Sequence, residues 1–220
     1  MKDVVVLLHG LGRTPLSMMA LWLAARRRGY RVINWHYRST TGSIAEHADA
    51  FARDVAPRLT HAPCLTEAPR VHFVTHSLGG IIVRQFLSTH ELPNLGRVVM
   101  LAPPNGGSEV ADVLQRSKVL ARWVAPAREL GTGATSVPLA LPAATFPLGV
   151  IAGSRSHIRL FSNWMSHEPN DGVVAVERTK LAGMSDFLVL RRTHTMLPWS
   201  PDALTQVFRF LEAGTFDRAA

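Results

Sequence analysis

With Cys64 as its single cysteine, the 220-residue chain cannot form an internal disulfide. A disulfide-stapled secreted scaffold is therefore excluded, and nothing in the fold calls for an oxidising compartment. Long apolar runs are equally scarce. The N-terminus offers one lysine and the run Val4 to Leu8, interrupted by His9 and Gly10, which is too short for a signal-peptide core. The longest uncharged stretch, Val137 to Ser154, carries Pro138, Pro142 and Pro147 and cannot run as one membrane-spanning helix. The expectation is a cytoplasmic chain with no transmembrane segment, although a leader upstream of this sequence would leave no trace in it. HExxH pairs, cysteine clusters and phosphate-binding loops are also missing, so neither metal nor organic cofactor is expected.

Acidic residues are outnumbered 24 to 16 by lysine and arginine, and the formal charge of +8 would attract nucleic acid, anionic lipid or an acidic substrate. The arginines are scattered, however, and basic and aromatic residues do not interleave as they do in single-strand binders. The one run, Arg26 to Arg28, falls at a predicted helix end, where it compensates the helix dipole. A solvated basic surface is expected, and no nucleic-acid partner.

What the chain does have is apolar content of 47%, enough to bury the core of one domain spanning residues 1–220. Six short runs rich in Val, Ile and Leu stand out: Lys2 to His9, Arg31 to His36, Arg70 to His76, Arg97 to Ala102, Leu148 to Gly153 and Phe187 to Arg192. Continuous apolar runs, rather than alternation, mark strands covered on both faces. Helical patterns fall between most of them. Thr14 and Pro15 supply an N-cap and a first-turn proline for the first helix. Ser43 and Glu46 have capping-box spacing ahead of Ile44, Ala48, Phe51, Val55 and Leu59 on one helical face. A third helix starts near Gly79, and a last one at Pro201 carries Leu204, Val207, Phe208 and Leu211. Repeated strand–helix units predict an α/β fold with a doubly wound, mostly parallel six-stranded sheet. About forty-five residues separate the fourth and fifth strands, more than one crossover needs. We read approximately 105–147 as a lid insertion over the carboxyl ends of the strands, with Val110, Val113, Leu114, Leu120 and Trp123 on a helical stripe.

Four pieces carry chemistry. Thr75-His76-Ser77-Leu78-Gly79-Gly80 lies between an apolar strand and a helical run, the context of a nucleophile elbow. Such a turn wants small residues two positions either side of the serine. Gly79 complies, whereas Thr75 stands where the usual pattern has glycine. His9-Gly10-Leu11-Gly12 ends the first strand, and the amides of Leu11 and Leu78 are candidate donors to an oxyanion. His194 follows the last strand and is the candidate base. Of the other nine histidines, His36 is placed to line the cleft, while His157 and His167 are the competitors for the base. Asp171, in an Asn-Asp-Gly turn, is the candidate acid, with Glu168 and Glu177 nearby and an ordinary Asp-Gly turn as the plain alternative. Asp186 opens the last strand and so belongs at the opposite edge of the sheet.

The blocks VVLLHGLGRTP, VHFVTHSLGG, VVMLAPPNGGSEV, NDGVVAVE and LRRTHTM span nearly the whole chain. On them the sequence resembles the α/β-hydrolase superfamily, specifically small lipase- and esterase-like members, some described as predicted acetyltransferases or hydrolases. The resemblance implies an acyl-enzyme on Ser77, a base at His194, an acid at Asp171 and a lid shaping the acyl pocket. His9, Gly10, Gly12, His76 and Gly79 would support the elbow and the oxyanion loop. The chain is short beside that pattern, lacking two leading strands. The expected activity is hydrolysis of a small-molecule ester, acyl lipids included. An acyltransferase with the same residues and a catalytically silent binding protein on the same fold are the alternatives.

Overall fold

In the computed structural model, which describes residues 2–59, 68–116, 125–156 and 168–218, each apolar run forms a strand. These are β1 (Val4–Leu8), β2 (Arg31–Trp35), β3 (Val71–His76), β4 (Leu95–Leu101), β5 (Leu148–Gly153) and β6 (Asp186–Leu190). They form one sheet in the order β2-β1-β3-β4-β5-β6, and every pairing is parallel. The apolar runs are continuous because successive side chains enter two separate cores. Val4, Val6, Leu8, Phe73, Val98 and Met100 face one layer with Phe51, Ile82 and Phe86. Val5, Leu7, Val74, Val99 and Leu101 face the other with Leu21, Val207, Phe210 and Leu211. Burying each such side chain contributes about 1.5–3 kcal/mol, so the central strands are held by both layers.

The helices divide accordingly. α1 (Met19–Arg27) and the last helix, α5 (Pro201–Ala213), cover one face, while α2 (Ile44–Asp54) and α3 (Leu78–Thr89) cover the other. α2 begins with the capping box: Glu46 N donates to Ser43 Oγ at 3.1 Å, and Ser43 N to Glu46 Oε2 at 2.7 Å. α1 starts differently from expectation. Thr14 is extended and its side chain makes no cap bond, because a 3-10 turn over Pro15–Met18 precedes the helix. The carbonyl of Thr14 is used instead, accepting from Ser17 Oγ at 2.8 Å. At the other end of α1, Arg28 Nη1 donates to the Ala24 carbonyl, so the arginine run does offset the helix terminus.

The insertion between β4 and β5 contains α4 (Glu109–Arg116), a 3-10 turn over Ala125–Glu129 and a single helical turn over Val137–Ala140. Leu120 and Trp123, expected on its helical stripe, lie outside the described residues. Three contacts tie it to the body. Glu129 accepts from the Ile44 amide, the Thr40 carbonyl from the Ala125 amide, and the Leu141 and Pro142 carbonyls from the buried guanidinium of Arg84. Among the described residues no helix is long and apolar enough to cross a membrane.

The strand order reverses between β1 and β3, since the chain moves outward from β1 to β2 and then in the opposite direction from β3 to β6. In an open α/β sheet the crevice at the carboxyl ends of such a pair is where ligands bind. The register Leu8↔Thr75 brings the segment after Leu8 beside the segment after Thr75. The Gly10 loop and Ser77 therefore meet at this crevice.

Candidate active site

Ser77 sits between β3 and α3 with φ 53° and ψ −123°, a left-handed conformation that non-glycine residues rarely hold. Such strain costs about 1–3 kcal/mol and persists only where the surroundings over-determine it. Here the Ser77 amide donates to Leu101 O at 2.9 Å and its carbonyl accepts from Gly80 N at 2.9 Å. Close backbone approach does the rest. A Cβ at Gly79 would lie 2.6 Å from the Leu8 carbonyl oxygen, and one at Gly10 would lie 3.1 Å from the Cβ of Ser77. Thr75 is fully buried, with its hydroxyl 3.2 Å from where a Cβ on Gly80 would stand. The threonine is accommodated because the residue it would otherwise strike, Gly80, has no side chain.

The residues of the loop after β1 surround this turn. His9 Nδ1–H donates to the Gly10 carbonyl at 3.0 Å, and the His9 ring stacks on Tyr37 with centroids 4.3 Å apart. The Tyr37 hydroxyl donates to the His9 carbonyl, and its burial pushes the phenol pKa up. Arg13 N closes a turn onto Gly10 O, and the Gly12 amide is taken by Ser39 Oγ at 3.0 Å. Leu11 between them lines the cavity above Ser77. Leu78 opens α3, so its amide is among the first four of the helix, which have no partner inside it.

Across the crevice, His194 Nδ1–H donates to Asp171 Oδ2 at 2.8 Å. The other carboxylate oxygen, Oδ1, accepts from the amides of Val173 and Val174 at 2.9 and 2.8 Å. The backbones are joined as well, since His194 N donates to Asp171 O at 3.0 Å. Asp171 and His194 are 2% and 8% exposed, so this pair works largely outside bulk water. His76 adds a third tie. Its Nε2–H donates to the His194 carbonyl at 3.0 Å, and the two rings lie 4.7 Å apart. Burial, then the neighbouring His194 ring, pushes His76 well below the ordinary histidine pKa, and burial also lowers His9. Both therefore act as neutral imidazoles.

Ser77, His76, His194, Gly10 and Leu11 share one cavity of about 170 Å³. Val110, Ala111, Leu114, Ala127 and Leu130 of the insertion and Val173 and Val174 supply its apolar wall, while Arg13 and Thr195 stand at its rim. Arg13 Nη2 donates to Thr195 Oγ1 at 2.9 Å and bridges the two loops. This bridge and the His76 tie leave no sign in the sequence, because each joins residues whose proximity only the fold creates, whereas the Val173 and Val174 amides belong to the local turn at Asp171. His36 differs from expectation: it is exposed and does not line the cleft. Its neighbour Tyr37 turns inward onto His9 instead. The competitors His157 and His167 lie outside the described residues. Glu168 is exposed and Glu177 pairs with Lys180. Asp186 starts β6 and accepts the amides of Phe187 and Phe216, far from the cavity wall. Among the described residues no group of three or more His, Cys, Asp or Glu could hold a metal ion.

Comparison with known proteins is consistent with this geometry at the level of the fold. Residues 5–215 match the model of the Alpha/beta hydrolase family. No curated protein matches the chain. Among solved structures, the mature form of the lipase BlEst2 from Bacillus licheniformis superposes with a TM-score of 0.71 at 18% identity, covering 98% of this chain and 93% of that one. The metagenomic carboxyl esterase MGS0156 gives 0.67 at 20% identity, over 96% and 75%. The phospholipase PlaB from Legionella pneumophila gives 0.68 at 19% identity, over 97% of this chain but 61% of that one. At these identities the likeness shows the fold alone.

Proposed function

We propose that this chain, which belongs to the alpha/beta hydrolase family, hydrolyses carboxylic esters through an acyl-enzyme on Ser77. The observation that carries this reading is the Asp171–His194 hydrogen bond in the wall of the cavity that also contains the strained Ser77. A carboxylate on Nδ1 fixes the proton there and leaves the Nε2 lone pair for the serine hydroxyl.

In the first half-reaction Ser77 Oγ attacks the ester carbonyl carbon while His194 Nε2 takes the hydroxyl proton. The Leu11 and Leu78 amides donate to the tetrahedral oxyanion, and the position of Leu78 at the positive end of α3 favours the same charge. Collapse of the intermediate breaks the C–O bond, and the departing alkoxide takes the proton from Nε2. Water then attacks the acyl-enzyme with its proton passing to Nε2, and Ser77 leaves with that proton restored. Asp171 stays ionised throughout and stabilises the imidazolium. The insertion, part of a single domain, acts as a lid that shapes the acyl pocket, in keeping with its share of the cavity wall.

Cavity size bears on the acyl group. A cavity of about 170 Å³ with an apolar wall favours short acyl chains. The test is a panel of p-nitrophenyl esters from acetyl to palmitoyl with wild type and Ser77→Ala. Turnover greatest on the short esters, with turnover and fluorophosphonate labelling both lost in Ser77→Ala, is the expected result. Labelling that persists on another residue overturns the assignment of the nucleophile.

A further inference from the structure

Outside the cavity, the most unusual surface lies on the outer side of the loop that carries His194. Three of the six large hydrophobic side chains that stand exposed among the described residues are found here: Leu16 at 67%, Met196 at 52% and Trp199 at 44%. They belong together, since the 3-10 turn over Pro15–Met18 packs beside the one over Leu197–Trp199. Scattered exposed hydrophobics need no explanation, but a cluster does.

The charge that lines the depression beside the cluster is basic. A shallow depression beside Met196 and Trp199 is walled by Arg155, Arg191 and Arg192 and by no acidic residue. Arg192 is balanced by Asp202, whereas Arg155 and Arg191 are exposed. Arg13 lies on the other flank, bonded to Thr195. His194 and Thr195 line the cavity while Thr193 and Met196 line the depression, so the patch and the cavity mouth are two sides of one loop.

We propose that this face docks on an anionic phospholipid surface, beside the loop that carries His194. Exposed apolar side chains flanked by arginine fit such an interface, where the hydrocarbon parts enter the acyl boundary and the guanidinium groups meet phosphate. Tryptophan in particular resides at that depth. A nucleic acid would engage the arginines but offers Leu16 and Met196 nothing apolar to enter. This surface goes beyond the hydrolytic reading and does not depend on it.

The experiment is co-sedimentation of the whole chain, as Ser77→Ala so that no turnover intervenes, with phosphatidylcholine vesicles or with vesicles about one-third phosphatidylglycerol. Binding to the anionic vesicles alone, falling as salt is raised, is expected. Arg155→Gln with Arg191→Gln should weaken it about 30-fold, from about 1 kcal/mol per charge, while Arg155→Lys with Arg191→Lys retains it. Met196→Ser with Trp199→Ser should weaken it even at low salt. Should the glutamine pair fail to fold, the lysine pair and the salt titration of the parent decide. Equal binding to neutral vesicles, wild-type binding by a folded glutamine pair, or preference for nucleic acid over vesicles would overturn the proposal. Failure of the ester panel would leave vesicle binding as it is, so the two readings fail separately.

Discussion

Replacing Asp171 by asparagine changes one oxygen for an NH2 group at nearly constant volume, and the surroundings dictate how the amide must sit. Oδ1 accepts the Val173 and Val174 amides. An asparagine that turned its NH2 toward them would leave two buried donors unsatisfied, at about 1–3 kcal/mol each. The carbonyl oxygen therefore stays with the valines and the NH2 faces His194 Nδ1, where the carboxylate stood at 2.8 Å. That NH2 can only donate, so Nδ1 must accept and the ring proton moves to Nε2. Ser77 then has no lone pair to receive its proton. Loss of the working tautomer is expected to lower kcat by about 10⁴. That factor corresponds to about 5.5 kcal/mol of transition-state stabilisation. The assay is steady-state turnover of p-nitrophenyl butyrate, alongside the rate of fluorophosphonate labelling. Asp186→Asn is the control, because Asp186 sits at the opposite edge of the sheet, roughly one strand length or 17 Å away. It should keep its activity and lose some stability, since its carboxylate caps the Phe216 amide. An Asp171→Asn enzyme within ten-fold of wild type, or an inactive Asp186→Asn, would refute the reasoning.

Three further outcomes follow from the packing and the buried charges. Gly80→Ala should be destabilised by about 1–3 kcal/mol, because its Cβ meets Thr75 Oγ1, Met100 Sδ and Pro103 Cβ at 3.2–3.3 Å. Adding Thr75→Gly should recover part of that loss in a denaturant titration, and strictly additive losses would contradict the account. His9, His47, His72 and His76 all have pKa values lowered by burial, so between those values and about 6.5 the unfolded chain binds more protons than the folded one. Stability is then fully present above about pH 6.5 and falls as the pH drops through that window, by up to about 1.4 kcal/mol per pH unit for one fully buried imidazole. A Tm unchanged from pH 8 to pH 5 would contradict this. Arg84, whose pKa burial lowers to about 10, holds the insertion through Asn105, Leu141 and Pro142. Arg84→Met should cost about 2–4 kcal/mol in urea titration and raise KM by loosening the cavity wall, and unchanged stability would show that the tie is dispensable.

Much of the architecture is written in local pattern. Strands covered by helices favour continuous apolar runs, so all six could be found from runs of Val, Ile and Leu, with ends misplaced by a few residues. β4 starts at Leu95, ahead of the apolar run, because the His72 ring receives the Arg97 amide where the register slips. The Ser43–Glu46 box is equally local and reads directly. Ser77 is legible because strand, strained turn and helix are consecutive in sequence. His36 and Tyr37 mark where local reading ends. Both follow β2, and Tyr37 turns inward to stack on His9 while His36 turns outward, a choice that their residue types alone do not make. Thr14 is a similar case, since the 3-10 turn that displaces its cap bond is set by how Pro15–Met18 packs on the neighbouring turn.

The sheet's strand order explains why His194 needs so many supports. Ser77 and the Gly10 loop follow adjacent strands and are placed by the register of β1 on β3. His194 follows β6, three strands away from β3, and no strand pairing positions it directly. Its loop is instead fastened at the backbone from two directions, the amide to Asp171 O and the carbonyl to His76 Nε2. The second of these comes from the residue before Ser77, so any motion of the His194 backbone is referred to the Ser77 turn itself. A displacement of about 1 Å between reacting groups can cost about 100-fold in rate. His76→Ala should therefore lower kcat with little change in KM, because it alters where His194 stands and leaves the apolar cavity wall in place. A rise in KM at constant kcat would mean that His76 contacts the substrate and is not a positioning residue.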